Sequence, residues 1–291
     1  FDDTARSMKS LIPSGVDWIK NYAESFQPKS NQITTRNGDK YTYDFLVVAP
    51  GIKIDPTLIE GLAETLGKNG VCSNYTNPKY TWEVLRNFKG GNAVFTQPTT
   101  PIKCGGAPQK IAYLSADYFR KNNLADKTNV VFATPGTVIF GVKPIAKTLM
   151  EVVDRKDIFL NFGYKLVEVD GKARIAWYEM ADHEKYHTKK DIGVIKKGNR
   201  VGIKFDMLHL APPQRSPDFI RDSPLSTPQG WLAVNKETMQ HTTYRNVFGL
   251  GDVAQLPTAK TGAARNPRPK KESFQMVETS IACFLALNEV L

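Results

Sequence analysis

The segment Asn92-Ala-Val-Phe-Thr-Gln-Pro-Thr-Thr-Pro-Ile-Lys-Cys104-Gly-Gly-Ala-Pro-Gln-Lys110 constrains the fold more than any other stretch. Ala93 to Phe95 supply the apolar run of a buried strand, and Pro98 and Pro101 stop it. Ile111, Leu114 and Tyr118 then recur at helical spacing, which predicts a helix over 109–122 with those residues on its apolar face. Cys104 sits just ahead of that helix. Unpaired backbone N–H groups at a helix N-terminus, with Lys103 and Lys110 close in sequence, favour thiolate over thiol and so a nucleophilic or redox role. Spacing alone leaves a second reading open, in which Cys104 is a small buried residue at a tight turn.

The flanking sequence alternates strand and helix. Asp44-Phe-Leu-Val-Val-Ala-Pro-Gly51 is a short apolar strand ending in Pro-Gly, and 31–43 predicts a hairpin turning at Asn37-Gly38. Residues 80–88 and 144–155 predict helices, 129–134 a strand, and 159–170, 173–179 and 202–210 further strands. Strand–helix–strand order of this kind predicts an α/β fold with a parallel sheet. Ala181 to Asn199, dense in lysine, histidine and acid, reads as an exposed hairpin extension.

With 41% hydrophobic residues in 291, the chain can bury a sizeable core. Its formal net charge of +10 is spread along the chain, and no zinc-finger, basic-zipper or RNA-platform signature accompanies it. The charge reads as a solvated face, suited to an anionic membrane rather than to nucleic acid. Three cysteines (Cys72, Cys104, Cys283) and four scattered histidines form neither a disulfide framework nor a metal quartet. His209, flanked by apolar residues, and Trp231 read as structural groups. No apolar run approaches the roughly 20 residues of a membrane-spanning helix, and the first thirty residues lack the order of a signal or transit peptide.

Cys104-Gly-Gly-Ala-Pro-Gln-Lys110, preceded by Pro101-Ile-Lys, resembles the substrate-cysteine segment of the sulfide:quinone oxidoreductases of animal and fungal mitochondria. Ile12-Pro-Ser-Gly-Val-Asp-Trp-Ile19, Cys72-Ser-Asn-Tyr75, Gln109 to Ser115, Ile139-Phe-Gly-Val-Lys143, Met207 to Pro213 and Val247-Phe-Gly-Leu-Gly-Asp252 resemble further landmarks of that family, in order. The resemblance implies a partial two-dinucleotide-binding-domain flavoprotein, similar to glutathione reductase, with a Rossmann-like sheet and a β-hairpin or antiparallel crossover. It divides the chain into 1–88, the remainder of an FAD-binding domain; 89–210, a second Rossmann-like domain carrying Cys104; and 211–291, a return to the first.

The same resemblance implies FAD as cofactor, held at Pro50, Gly51, Gly251, Asp252 and Lys260. Glycines let backbone approach a ligand closely, and a carboxylate accepts hydrogen bonds from ribitol hydroxyls. Glu64 is implied as an acid near the sulfide entry and Lys110 as the electrostatic partner of a sulfur anion or reduced flavin; each also fits an ordinary solvated residue. Hydrogen sulfide, a sulfur acceptor and ubiquinone are the implied partners, at the surface of the mitochondrial inner membrane.

Three departures qualify what the resemblance implies. The G-x-G-x-x-G that opens such flavoproteins is absent, so the sequence reads as truncated by a βαβ unit and more; the C-terminal amphipathic helices are absent too. Gln97-Pro-Thr-Thr-Pro-Ile-Lys-Cys104 stands where other two-dinucleotide flavoproteins carry a second such fingerprint for NAD(P)H; that absence is no departure but belongs to the family the chain resembles, and it argues against that donor. Val253 occupies the position of the partner redox cysteine, and valine cannot exchange thiols. An FAD-dependent sulfide:quinone oxidoreductase is thus the first expectation. A degenerate, non-catalytic binding protein on the same fold is the alternative, and a sulfide dehydrogenase passing electrons to a cytochrome ranks behind both.

Overall fold

The computed structural model describes residues 5–180, 192–257, 260 and 282–284, the last three by backbone alone. Two folded units share the chain. Residues up to Ile52 and from Ser216 onward make one, and Lys53–Arg215 the other.

The first unit begins with β1 (Ala23–Gln27), β2 (Gln32–Thr35) and β3 (Lys40–Thr42), an antiparallel sheet in that order. Its β2–β3 turn lies at Asn37-Gly38, as the sequence predicts, with Gly38 at φ +91°. β4 (Leu46–Val48) follows as the buried strand of that unit.

The chain then passes into the second unit at β5 (Lys53–Ile54), followed by α1 (Leu62–Thr65), β6 (Val71–Cys72) and α2 (Pro78–Asn87). This crossing comes at 52/53, well before the expected boundary at 88/89. The physical reason is strand pairing: β6 is a member of the second unit's sheet and carries 53–88 with it. After β6 and α2 come β7 (Gly91–Thr96), α3 (Ala107–Lys121), β8 (Thr128–Thr134), α4 (Lys143–Arg155) and β9 (Ile158–Phe162). Next are β10 (Lys165–Asp170), β11 (Ile175–Glu179), β12 (Val194–Lys197), β13 (Arg200–Lys204), β14 (Met207–Leu210) and β15 (Gln214–Arg215).

Five of these strands form a wholly parallel sheet in the order β6-β14-β7-β8-β9, with Met207 opposite Ala93 and Val94 opposite Val131. Its strands are near-continuous apolar runs because both faces are covered. Ala93, Phe95, Val130, Phe132 and Met207 pack with Leu85 of α2, Phe119 of α3 and Val153 of α4. On the other face, Val71, Val94, Val131 and Leu208 pack with Leu166, Ala176, Tyr178 and Ile203 of a second, antiparallel sheet ordered β10-β11-β13-β12.

That second sheet corrects two expectations. The stretch 159–170 is not one strand but β9 and β10, parted at Gly163-Tyr164 and sent to different sheets; 202–210 likewise divides into β13 and β14 at Phe205-Asp206. Asp206 marks the second break by accepting a hydrogen bond from the Asn92 backbone N–H at 2.9 Å. The expected extension at 181–199 contains β12, which pairs with β13 through a turn at Gly198-Asn199; 181–191 lie outside the described residues.

The first unit resumes with α5 (Asp218–Arg221), β16 (Val247–Gly249) and β17 (Ala282–Phe284), and β4 runs parallel between β16 and β17. Phe26, Ile33, Leu46, Val48, Leu232, Val247 and Val253 meet in its core.

Candidate functional site

Two constellations carry chemistry, one in each unit. In the second, β7 ends at Thr96 and its loop delivers Cys104 three residues ahead of α3. Pro108 in the helix's first turn needs no N–H partner, and the Ala107 N–H donates to the Cys104 carbonyl at 2.8 Å. Cys104 is half-buried and holds φ +60°, a left-handed backbone that residues with a Cβ seldom adopt.

The helix starts where the sequence places it, but its buried face differs from expectation. Leu114 is 66% exposed, and the buried positions are Pro108, Gln109, Ala112, Ser115 and Phe119. Small residues at 112 and 115 let α3 lie close on β7 and β8, a requirement of packing that an apolar tally does not weigh. Gln109, buried, donates from Nε2 to the Ile139 carbonyl at 2.6 Å and so joins the α3 start to the loop before α4.

The turn after β6 supports the Cys104 loop from beneath. The Tyr75 hydroxyl donates to the Lys103 carbonyl at 2.6 Å. The Lys103 N–H donates to Gln214 Oε1 at 2.6 Å, and the Gln214 N–H to Thr100 Oγ1 at 3.1 Å. Asn74 N–H donates to His209 Nε2 at 3.1 Å, so that nitrogen carries no proton. Burial lowers the His209 pKa to about 4 and keeps the ring neutral, in keeping with its structural reading. Sequence reasoning missed Tyr75 and Gln214. Their only signal was membership of the Cys72–Tyr75 segment and proximity to the Met207–Pro213 segment.

Lys110 is exposed in the first turn of α3, and its chain folds toward Gly106, whose Cβ position would lie 3.9 Å from Lys110 Cε. It therefore lies along the turn that joins Cys104 to the helix. Glu64 projects into solvent from α1, whose Leu62 is buried against the sheets, and makes no hydrogen bond or ion pair with the described residues. Cys72 is buried on β6, and burial pushes its thiol up to about 12 despite a hydrogen bond with Thr81. That thiol is inert at neutral pH.

In the first unit, β4 and β16 are hydrogen-bonded neighbours, with Val48 opposite Gly249, and the Leu250 N–H donates to the Val48 carbonyl at 3.0 Å. Beyond their ends stand Pro50-Gly51 and Gly251-Asp252. Gly51 and Gly251 both hold φ +75°, and a Cβ at either would meet nothing within 4 Å. The two strand ends thus border open space that only a short backbone lines. Asp252 is 3% exposed, and Val253 is fully buried in the core.

Lys260 Nζ donates to the carbonyls of Asp252 at 2.6 Å and Ala254 at 3.2 Å, and lies 3.6 Å from the ring centroid of Trp231. Burial lowers its pKa to about 8, while the Asp252 charge resists that fall. Trp231 is therefore more than core filler, a role its sequence context did not suggest. Cys283 belongs to β17, described by backbone alone. Among the described residues no cluster could hold a metal ion, and no helix is long and apolar enough to cross a membrane.

No protein-family model matches the chain. It is 42% identical over 263 residues to "Sulfide:quinone oxidoreductase, mitochondrial" of Mus musculus, covering 90% of this chain and 56% of that protein. The protein of the same name from Dictyostelium discoideum is 39% identical over 266 residues, covering 90% and 55%. The chain thus spans about half the length of the curated relatives it matches.

Among solved structures, the sulfide:quinone oxidoreductase of the bacterium Aquifex aeolicus superposes with a TM-score of 0.67 at 20% identity, over 89% of this chain and 60% of that one. The flavoprotein disulfide reductase RclA of Escherichia coli gives 0.54 at 13% identity, over 90% and 50%. The α/β fold is that of these flavoproteins. The chain is a homologue of the mitochondrial sulfide:quinone oxidoreductases over 90% of its length.

Proposed function

We propose that this chain acts in sulfide oxidation as a mitochondrial sulfide:quinone oxidoreductase, with Cys104 as the thiol that meets sulfide. The observation that carries this reading is the half-buried Cys104, turned into a left-handed corner at the start of α3, with Lys110 in the first turn of that helix. In a protein 42% identical to a relative of that name, such a corner suits a reactive sulfur.

The residues present fit FAD. Gly51 and Gly251 leave room at adjacent strand ends, and the Asp252 carboxylate, with Lys260 bound at its backbone, would hold the cofactor there. FAD, when bound, supplies a two-electron sink that relays to ubiquinone. On the protein side, the Cys104 thiolate and hydrosulfide form one S–S bond, giving a persulfide and releasing one proton and two electrons. Lys110 stabilises the sulfur anions by charge, and Glu64 is the candidate carrier of the released proton. A sulfur acceptor then takes the outer sulfur and restores the thiolate.

Val253 favours a second reading. Buried in the first unit's core at the position where the resemblance expects the partner cysteine, it cannot exchange thiols, as a non-catalytic binding protein would have it. Anaerobic sulfide added to the flavin-loaded chain separates the two. Catalysis bleaches the flavin band and adds one sulfur atom to the mass of Cys104, and Cys104→Ser abolishes both. Bleaching that persists in Cys104→Ser, or no added sulfur, rejects the first reading.

A further inference from the structure

The Lys103 backbone is gripped on both sides. Its N–H is taken by Gln214 Oε1 and its carbonyl by the Tyr75 hydroxyl, each at 2.6 Å. Gln214 is 1% exposed and ties the loop a second time through its own N–H to Thr100 Oγ1. Three segments distant in sequence, the turn after β6, the loop after β7 and β15, therefore converge on one residue, and its two flanking peptide units are each held. The next residue is Cys104 at φ +60°. A residue with a Cβ keeps that conformation only where its surroundings over-determine it. Released, it relaxes to the right-handed or extended region and the sulfur changes direction.

We propose that Tyr75 and Gln214 are positioning residues for Cys104, which lock the peptide units on either side of Lys103 and thereby fix the left-handed corner and the direction of the sulfur. Its functional meaning rests on Cys104 being the sulfide-reactive thiol. The phenol is close enough to feel the sulfur: burial first, then the Cys104 charge, push the Tyr75 hydroxyl upward. A glutamine suits the post because its Oε1 accepts from the Lys103 N–H without a charge, whereas a carboxylate would bring a second negative charge beside a thiolate.

The test is iodoacetamide labelling of Cys104 against pH in the full chain, read by mass spectrometry, in Tyr75→Phe, Gln214→Met and a control, Asn129→Ala. Asn129 hydrogen-bonds Asn92 at the opposite end of the same parallel sheet, so its loss destabilises without touching the loop. Each loop variant is expected to change the Cys104 labelling rate about fivefold, the factor of one net hydrogen bond, and to move its pH midpoint. The control moves neither. Hydrogen exchange at the Lys103 amide accelerates in Gln214→Met. Wild-type rate and midpoint in Tyr75→Phe, or an equal change in Asn129→Ala, overturn the proposal. Should Gln214→Met fail to fold, Tyr75→Phe, which deletes one oxygen, decides. Labelling needs neither flavin nor sulfide, so shifted labelling with no sulfide reaction rejects the proposed function and leaves the positioning role standing.

Discussion

Arg215 donates from Nε to the Asp55 carboxylate across the antiparallel pair of β5 and β15, the strands at which the chain leaves one unit and returns to it. The Asp55 N–H also donates to the Pro213 carbonyl at 2.8 Å, and the Asp55 side chain accepts from the Thr57 N–H at 3.2 Å. Burial resists ionisation of Asp55, but the Thr57 and Arg215 hydrogen bonds and the Arg215 charge prevail and lower its pKa. A depressed carboxyl stabilises the fold above its unfolded value of 3.8 and loses that contribution as pH falls through the lower folded value. Asp55→Asn is therefore expected to cost about 2 kcal/mol in urea unfolding at pH 7. The gap from wild type narrows below pH 3.8; a gap that widens there contradicts the ion pair.

Cys104 and Cys72 should label in a fixed order. Cys72 is buried with its thiol pushed up to about 12, whereas Cys104 is half-buried at a turn. At mildly acidic pH, iodoacetamide is expected to modify Cys104 first. Peptide mapping that finds Cys72 modified as fast overturns the assignment of Cys104 as the accessible thiol.

His209 makes stability pH-dependent in a higher window, with the same sign. Its folded value of about 4 lies below the ordinary 6.5, so the unfolded chain binds more protons between the two. Stability therefore rises with pH across that window and levels off above it. Between pH 7 and 5 wild type should lose about 2 kcal/mol that His209→Gln retains. Parallel losses in both proteins would show that His209 is not the titrating group.

Lys260 over Trp231 gives an optical reporter. Losing its proton near pH 8 removes the cation 3.6 Å from the Trp231 ring centroid, so tryptophan emission should shift with a midpoint of about 8. Neither Lys260→Met nor Trp231→Phe should show that transition. Its persistence in both would assign it elsewhere.

Gly251 tests the proposed flavin cradle. A valine there must adopt φ +75°, at a cost of about 1–2 kcal/mol, and its side chain projects into the open space beside β4. Gly251→Val is expected to weaken FAD retention about tenfold or more, read by flavin absorbance after gel filtration. Valine at the exposed Gly15, also at positive φ in open space, controls for strain and should retain FAD as wild type does.

Near Cys104 the local signals proved sufficient. Strand, proline stop and helix start at 92–109 each depend on residues a few positions apart, and the structure reproduces them as β7, a loop and α3. The same holds for β4 and β16 with glycines after their ends. Periodicity failed where packing decided. On α3, Ile111, Leu114 and Tyr118 outweigh the buried face in hydrophobicity, yet close approach to the sheet selects Ala112 and Ser115.

The sequence alone thus determined where Cys104 stands relative to a helix and which strands end in glycine, because backbone stereochemistry and side-chain period act over one or two turns. Only the tertiary structure decided which strands share a sheet, that the first crossing between units falls at 52/53, and what grips Lys103. Its two partners lie 28 and 111 residues away in the chain. Hydrogen bonds over such separations leave no periodic trace, since the fold brings their ends together only after strands have paired and helices have packed.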